Sequence, residues 1–452
     1  MAKDMTEGKP WKLIFFFALP LIAGNMVQQM YAFVDTFLVG RFLGVQALAA
    51  VGCTGCLMFL LIGFVMGMTT GLAIRTGQAF GAKDEEGVRR SAAACVVLSI
   101  VMAVGLTVVG LFAVRPVLTA LDTPPEIFED AAAFISIICA GVPLMSLFAM
   151  QTNLIRALGD SRLATIMLSG GLVINIIFEP IFLLVLELGV PGAALATAAS
   201  QVIANLVCFF YIRRHISLLW IRREDWRLTK RELWEHARIG YTMGFQSSVV
   251  ALGAIILQGA LNGLGPQSIA AYAAAQRVDA VAVMPMISFG MAMATYTAQN
   301  FGARRLSRIR AGVRSCIMMS GTFSILAAAF NIMCGGFVIE GFVGAGEAEV
   351  VEMGRTFLTV NGLCYIVLSL LFIFRFTLQG LGQAVVPTLA GLMELLMRAL
   401  AAIFLIDRFG YLGACFANPM AWVGACVPLL IAYSITRKTL KESPAAAGNE
   451  TV

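Results

Sequence analysis

Charge is scarce in this chain. Of its 452 residues only 13% are Asp, Glu, Lys or Arg, against 59% hydrophobic residues. A soluble domain carries about 25% charged and about 45–50% apolar residues, so a water-soluble fold around one core is excluded and much of the apolar surface has to meet lipid. Histidine is nearly missing: His215 and His236 fall in one basic stretch, which leaves no histidine inside an apolar run to act as a general base. The sequence has no HExxH, no Gly-x-Ser-x-Gly and no GxxxxGK[ST]. It therefore gives no sign of an intramembrane hydrolase or a nucleotide-driven pump, and we assign no catalytic residue. The ten cysteines are scattered; Cys53-Thr54-Gly55-Cys56 has the CxxC form, but no second pair completes a zinc site. At helical spacing its two thiols share a face as small packing residues, and no metal site is expected. A cleavable signal peptide is not visible either, because Lys9 and Lys12 run straight into a span-length apolar stretch.

What fills the chain instead is long apolar runs rich in Leu, Ala, Ile, Val and Phe and punctuated by Gly. They lack the period-2 alternation of a membrane β-barrel. At roughly 20 residues per span plus loops, the length accommodates about 12 helices. The runs place spans near 12–39, 46–72, 91–113, 127–153, 163–186, 191–212, 237–262, 267–296, 312–336, 349–376, 386–406 and 411–435. With the N-terminus inside, about 24 Lys and Arg fall in cytoplasmic segments, and only Arg41, Arg115, Arg355 and Arg408 fall outside. That asymmetry is the orientation signal of a multi-pass inner-membrane protein with both termini cytoplasmic. The basic residues alternate between loops rather than sharing one face, so no nucleic-acid partner is expected.

The chain also repeats itself. Leu43-Gly44-Val45-Gln46-Ala47-Leu48-Ala49-Ala50 returns as Leu264-Gly265-Pro266-Gln267-Ser268-Ile269-Ala270-Ala271, and Thr76-Gly77-Gln78-Ala79-Phe80-Gly81-Ala82 as Thr297-Ala298-Gln299-Asn300-Phe301-Gly302-Ala303. Leu158-Gly159 pairs with Leu381-Gly382, and Gly192-Ala193 with Gly413-Ala414. Because each half holds six spans, the repeats run parallel through the bilayer. The expected fold is an all-α integral membrane protein of 12 transmembrane helices in two parallel-repeat six-helix bundles around a central cavity. The bundles are 1–212 and 237–437, joined by a cytoplasmic basic linker at 213–236 and followed by a cytoplasmic tail at 438–452. The linker's charges are expected to face water and anionic headgroups. Gly63, Gly67 and Gly71 make two consecutive GxxxG spacings that mark close helix packing.

The segments Phe17-Ala18-Leu19-Pro20 through Asp35-Thr36-Phe37-Leu38-Val39-Gly40-Arg41-Phe42-Leu43-Gly44, then Gln78-Ala79-Phe80-Gly81-Ala82-Lys83, Arg156-Ala157-Leu158-Gly159-Asp160-Ser161-Arg162, Gly192-Ala193-Ala194-Leu195-Ala196-Thr197, and Gln299-Asn300-Phe301-Gly302-Ala303 follow one another in order. Together they resemble the MATE (multidrug and toxic compound extrusion) family, in its DinF/MepA-like bacterial branch. The resemblance covers roughly residues 9–437. It implies two six-helix bundles about a V-shaped cavity and efflux of cationic, amphipathic small molecules against inward flow of H⁺ or Na⁺, with no other cofactor. A monomer is the default where the pathway lies between a transporter's own halves. The alternative is a flippase of a lipid-linked or amphipathic metabolite from the same superfamily.

Ionisable residues inside the membrane are expensive and usually functional. Asp35 and Tyr31 lie one turn apart in the first span, Asn175 and Glu179 one turn apart in the fifth, and Thr197 near the start of the sixth. All five could meet in the outer half of the N-terminal bundle. Desolvated carboxylates near each other there could bind H⁺, or Na⁺ with carbonyls added. The resemblance links the positions of Asp35, Asn175 and Thr197 to cation coupling, and the chain departs from it at Glu179, where Asp is more usual. Either acid could instead be a structural helix–helix contact. In the C-terminal half Arg277 and Asp279 lie mid-span, and Glu394 and Arg398 sit at i,i+4. These four line a substrate cavity on one reading and form structural ion pairs on the other. Asn25, Gln28 and Gln29, three amides in one span, are further candidates for the cavity wall. Arg375 is expected to snorkel from the cytoplasmic end of its span, and Arg75 to anchor at the interface.

Overall fold

The computed structural model describes residues 3–121, 123–344 and 346–439, and among them no strand occurs. The first half contains α1 (Pro10–Cys53), α2 (Gly55–Gly81), α3 (Glu85–Ala120), α4 (Pro125–Ala157), α5 (Ser161–Pro180) and α6 (Gly189–His215). The second half contains α7 (Lys230–Asn262), α8 (Pro266–Gly302), α9 (Leu306–Val343), α10 (Ala348–Leu363), α11 (Tyr365–Gly380), α12 (Val385–Leu400), the short α13 (Ile406–Phe409) and α14 (Tyr411–Thr439). Among the described residues, eleven helices are long and apolar enough to cross a membrane, or 12 when α10 and α11, bent by 50° at Cys364, count as one span.

Local chemistry sets the ends. Asp84 caps α3 by accepting from the Gly87 N–H at 2.8 Å, and Asp160 caps α5 by accepting from Leu163 N–H at 2.9 Å. Glu85 and Glu86 follow in the first turn of α3, while Arg213, Arg214 and His215 close α6, each sign at the end of the helix dipole that favours it. Prolines open α4 and α8, where a missing N–H costs nothing.

The internal repeat is written more clearly in the backbone than in the side chains. Left-handed φ values occur at Gly44 (86°) and Gly265 (94°), at Lys83 (58°) and Arg304 (56°), at Gly159 (85°) and Gly382 (81°), and at Gly189 (61°) and Gly410 (56°). Each pair is separated by the repeat spacing. Gly44 breaks α1 and Gly265 precedes α8, both with ψ near 180° (−176° and 170°), a region open only to glycine. Lys83 and Arg304, at positive φ without glycine, close α2 and α8 with matching turns, in which the Lys83 and Arg304 N–H groups reach the carbonyls of Phe80 and Phe301. A π-helical turn also appears twice, at Ile181–Val185 after α5 and at Ala401–Leu405 after α12. The next helix backs onto each turn. A Cβ on Gly192 would lie 3.1 Å from the Phe182 carbonyl oxygen, and one on Gly413 would lie 2.2 Å from that of Leu405.

The described residues form two compact units, Ala23–Gly244 with Lys3, and Asp4–Ile22 with the chain from Phe245 to 439. The stretch 213–236 thus belongs to the first unit, and two helices each divide their length between units. The start of α1 is held in the second. There the Met5 N–H donates to Gln299 Oε1 at 2.9 Å, Asn300 Nδ2 donates to the Met5 carbonyl at 3.1 Å, and Arg305 and Arg308 donate to the carbonyls of Thr6 (2.6 Å) and Gly8 (2.8 Å). Leu13, Ile14, Phe17, Ala18 and Leu21 then join Met286, Phe289, Met293 and Tyr296 in one apolar core.

The start of α7 is held in the first unit. A Cβ on Gly71 of α2 would sit 2.9 Å from Gly240 Cα, so the α2–α7 crossing depends on glycine. The basic stretch expected to face water and headgroups is instead partly latched to the protein. Arg90 makes a bidentate pair with Glu232 (2.8 and 2.9 Å), Arg89 pairs with buried Asp225 (3.4 Å), and Arg75, expected as an interfacial anchor, pairs with Glu235 (2.8 Å). His236 is not in a loop: it is buried in α7, where Nδ1–H donates to the Glu232 carbonyl at 2.7 Å. Its Nε2 accordingly accepts from Ser91 at 2.7 Å, and Ser91 Oγ lies 2.8 Å from Thr76 Oγ1. Helix formation from Lys230 onward turns these charged side chains onto α2 and α3.

Candidate functional site

Glu179 stands at the end of α5, next to Pro180. Proline cannot donate to the carbonyl four residues back, and the chain continues as the π turn, in which the Leu186 N–H reaches the Ile181 carbonyl at 3.0 Å. One helical turn before Glu179, Asn175 is also buried. Its Nδ2 donates to Thr197 Oγ1 at 3.2 Å and to Ser200 Oγ at 3.3 Å, both on α6. Those hydroxyls spend their own protons on α6 carbonyls, Thr197 on Ala193 (3.2 Å) and Ser200 on Thr197 (2.8 Å). The amide orientation that results leaves Asn175 Oδ1 with no donor among the described residues.

Glu179 is 1% exposed. Among the described residues neither of its carboxylate oxygens accepts from an N–H or hydroxyl, and the group beside it, within hydrogen-bonding reach, is the Asp35 carboxyl of α1. Glu179 and Asn175 therefore present lone pairs while the local donors point elsewhere. Such a place is electrostatically suited to H⁺ or a small cation and unsuited to an anion. The structure brings together Asp35, Asn175, Glu179 and Thr197. The Tyr31 side chain lies outside the described residues. Ser200 was not anticipated, although its position three residues after Thr197 put it on the same helix face.

The second unit holds a different arrangement. Glu394 on α12 receives Arg375 of α11 on Oε1 and Arg398, one turn along α12, on Oε2 at 3.7 Å. All three side chains are buried: 6% exposed for Arg375, 3% for Glu394 and 7% for Arg398. Arg398 also donates to Asn418 Oδ1 at 3.3 Å and to the Val250 carbonyl at 3.4 Å. The expectation that Arg375 snorkels to the interface is therefore corrected. The packing of α11 brings Glu394 to its guanidinium, and a carboxylate partner there outweighs solvation at the membrane edge. Nothing in the spacing between residues 375 and 394 signals that meeting.

Asp279 is buried on α8 and accepts from the Tyr365 hydroxyl at 2.7 Å, which in turn accepts from Asn331 Nδ2 at 2.7 Å. Arg277, two residues away and so on another side of α8, is exposed and does not join Asp279. Gln28 and Gln29 are exposed and Asn25 is half-buried, all on the part of α1 that belongs to the first unit. The seven residues expected to line one cavity are thus shared between the units: Asn25, Gln28 and Gln29 in the first, Arg277, Asp279, Glu394 and Arg398 in the second.

A duplicated, multi-span helical protein with buried acids on its helices has the build of a membrane transporter rather than an enzyme, and known proteins agree. The MatE family profile matches residues 20–181 and again 243–404. The chain belongs to the MatE family. It is similar to the probable multidrug resistance protein YoeA of Bacillus subtilis (strain 168), 28% identical over 443 residues that cover 94% of each chain. It is also similar to the multidrug export protein MepA of Staphylococcus saprophyticus, at 21% over 94% of this chain and 93% of that one, and to the probable multidrug resistance protein NorM of Thermotoga maritima, at 22% over 94% and 89%. Those last two identities do not separate the MepA-like from the NorM-like branch. Among solved structures, a MATE in complex with MaL6 superposes with a TM-score of 0.89 at 22% identity, covering 97% of this chain and 99% of that one. An outward-facing multidrug resistance MATE family transporter of the MOP superfamily gives 0.89 at 20%, covering 97% and 98%. These likenesses establish the fold.

Proposed function

We infer that this protein exports cationic, amphipathic small molecules, drugs among them, by antiport with H⁺ or Na⁺ through alternating access. It works as a monomer in the inner membrane with both termini cytoplasmic. The coupling cation binds at Asp35, Asn175, Glu179 and Thr197. The observation that carries this reading is Glu179, a buried carboxyl that sits against the Asp35 carboxyl and that no N–H or hydroxyl of the described residues reaches. Two acids so placed attract a positive charge, and its arrival and departure change what the helices carrying them, α1 and α5, have to bury. The relatives named for multidrug resistance and export support the substrate class, and the excess of Lys and Arg in alternate loops supports the orientation.

The test is transport in liposomes. Ethidium movement is followed under imposed H⁺ and Na⁺ gradients applied separately, with Asp35→Asn beside the unaltered protein. Movement driven by one gradient and lost in Asp35→Asn is the expected result, and it names the ion. If neither gradient moves the dye, organic-cation export is refuted and the lipid-linked flippase takes its place. Normal transport in Asp35→Asn would remove Asp35 from coupling.

A further inference from the structure

The first unit's buried site is rich in acceptors; that of the second unit is rich in positive charge. Arg375, Glu394 and Arg398 sum to a net charge of +1. Arginine does not shed its proton in proteins, so the excess cannot be removed by deprotonation. Among the described residues of this unit the other buried acid is Asp279, and it is engaged by Tyr365 rather than by either arginine. The site also has loose ends. Arg375, only 6% exposed, has a buried Nε with no acceptor among the described residues. One turn further along α11, Gln379, 2% exposed, donates through Nε2 to Gln246 Oε1 at 2.8 Å, while its own Oε1 accepts from no donor among the described residues. A lone pair of basic residues at a membrane edge would find headgroups or water. Here the cation is enclosed by α7, α11, α12 and α14, and an unpaired buried N–H beside an uncompensated buried charge is the signature of a missing acceptor.

We propose that Arg375 and Arg398 of the second unit form a binding site for a compact monoanion, either free inorganic anion such as chloride or a carboxylate group carried by a substrate. The anion lies against Arg375 Nε and neutralises the triad, while Glu394 keeps both guanidinium groups in place. Carboxylate and chloride both fit the requirement of one negative charge and no proton to donate. The site is independent of the cation-coupling assignment in the first unit, because its residues, its polarity and its test are separate.

The experiment is thermal unfolding of the intact protein in lipid nanodiscs, at fixed pH and sodium concentration, with a bulky sulfonate, 2-(N-morpholino)ethanesulfonate, replaced stepwise by chloride or by acetate. A ligand that binds the folded state raises the midpoint with its concentration, here by a few degrees at saturation. Arg398→Met, which leaves a neutral Arg375–Glu394 pair, loses the response, and Arg398→Lys, which keeps the charge, retains it. A response to chloride alone identifies the inorganic anion, whereas a response to acetate identifies the carboxylate group. No response to either anion, or an undiminished response in Arg398→Met, overturns the proposal. Should Arg398→Met not fold, Arg398→Gln takes its place in the same titration: loss of the response supports the site, and an undiminished response refutes it.

Discussion

Replacing Glu394 by Gln tests whether the buried triad is held together by its single negative charge. In the folded protein that carboxylate receives Arg375 on one oxygen and Arg398 on the other, with every member less than a tenth exposed. Gln has nearly the same shape, so the substitution opens no cavity; what it removes is charge. The net charge of the triad goes from +1 to +2, and the new amide NH₂ faces guanidinium donors. Breaking a buried pair by taking away one partner costs about 3–5 kcal/mol, a large part of a typical stability of about 5–15 kcal/mol. For a unit of about 200 residues each kcal/mol moves the midpoint by about 2–4 °C, so Glu394→Gln is expected to unfold roughly 6–20 °C earlier in nanodiscs. Arg398→Met is the counter-experiment. It lowers the buried charge to zero, and in the bulky sulfonate its midpoint is expected to equal or exceed that of the parent, since replacing buried charge by well-packed apolar groups is often neutral or stabilising. The argument is refuted if Glu394→Gln melts within a degree of the parent, or if Arg398→Met falls as far as Glu394→Gln does.

Two further outcomes test the fold. Gly413→Ala places a Cβ 2.2 Å from the Leu405 carbonyl oxygen and 2.4 Å from its carbon, against 3.0 Å and more around Gly192. Overpacking against backbone costs about 1–3 kcal/mol, so Gly413→Ala is expected to lower the thermal midpoint clearly and Gly192→Ala by less; the reverse order would mean that the π turn after α12 relaxes freely. Ser91→Ala takes the hydroxyl from His236 Nε2 and leaves that buried acceptor unmade. A loss of about 1–3 kcal/mol follows, and His236→Phe, which removes the acceptor as well, is expected to lose less than Ser91→Ala in the same melting assay.

Much of this molecule is legible along the chain because lipid imposes a one-dimensional rule. Spans must be apolar for about 20 residues, so their number, the twofold repeat and the absence of hydrolase or nucleotide motifs follow from composition and spacing alone. Residues that act through sequence-local geometry were equally accessible. Asn175 and Glu179 share a face because they are one turn apart, and the recurring Leu-Gly pairs mark turns because glycine alone takes ψ near 180° at positive φ, as Gly44 and Gly265 do. What only the tertiary structure decided are meetings between distant segments. Asp35 comes beside Glu179, Arg375 reaches Glu394, His236 finds Ser91, and the starts of α1 and α7 are gathered into the second and first units respectively. The physical reason is that inside a membrane protein lipid and core are equally apolar. Hydropathy can say that a residue is out of water but not which neighbour it faces, and the choice falls to shape and to the few polar groups that must find one another once the helices pack.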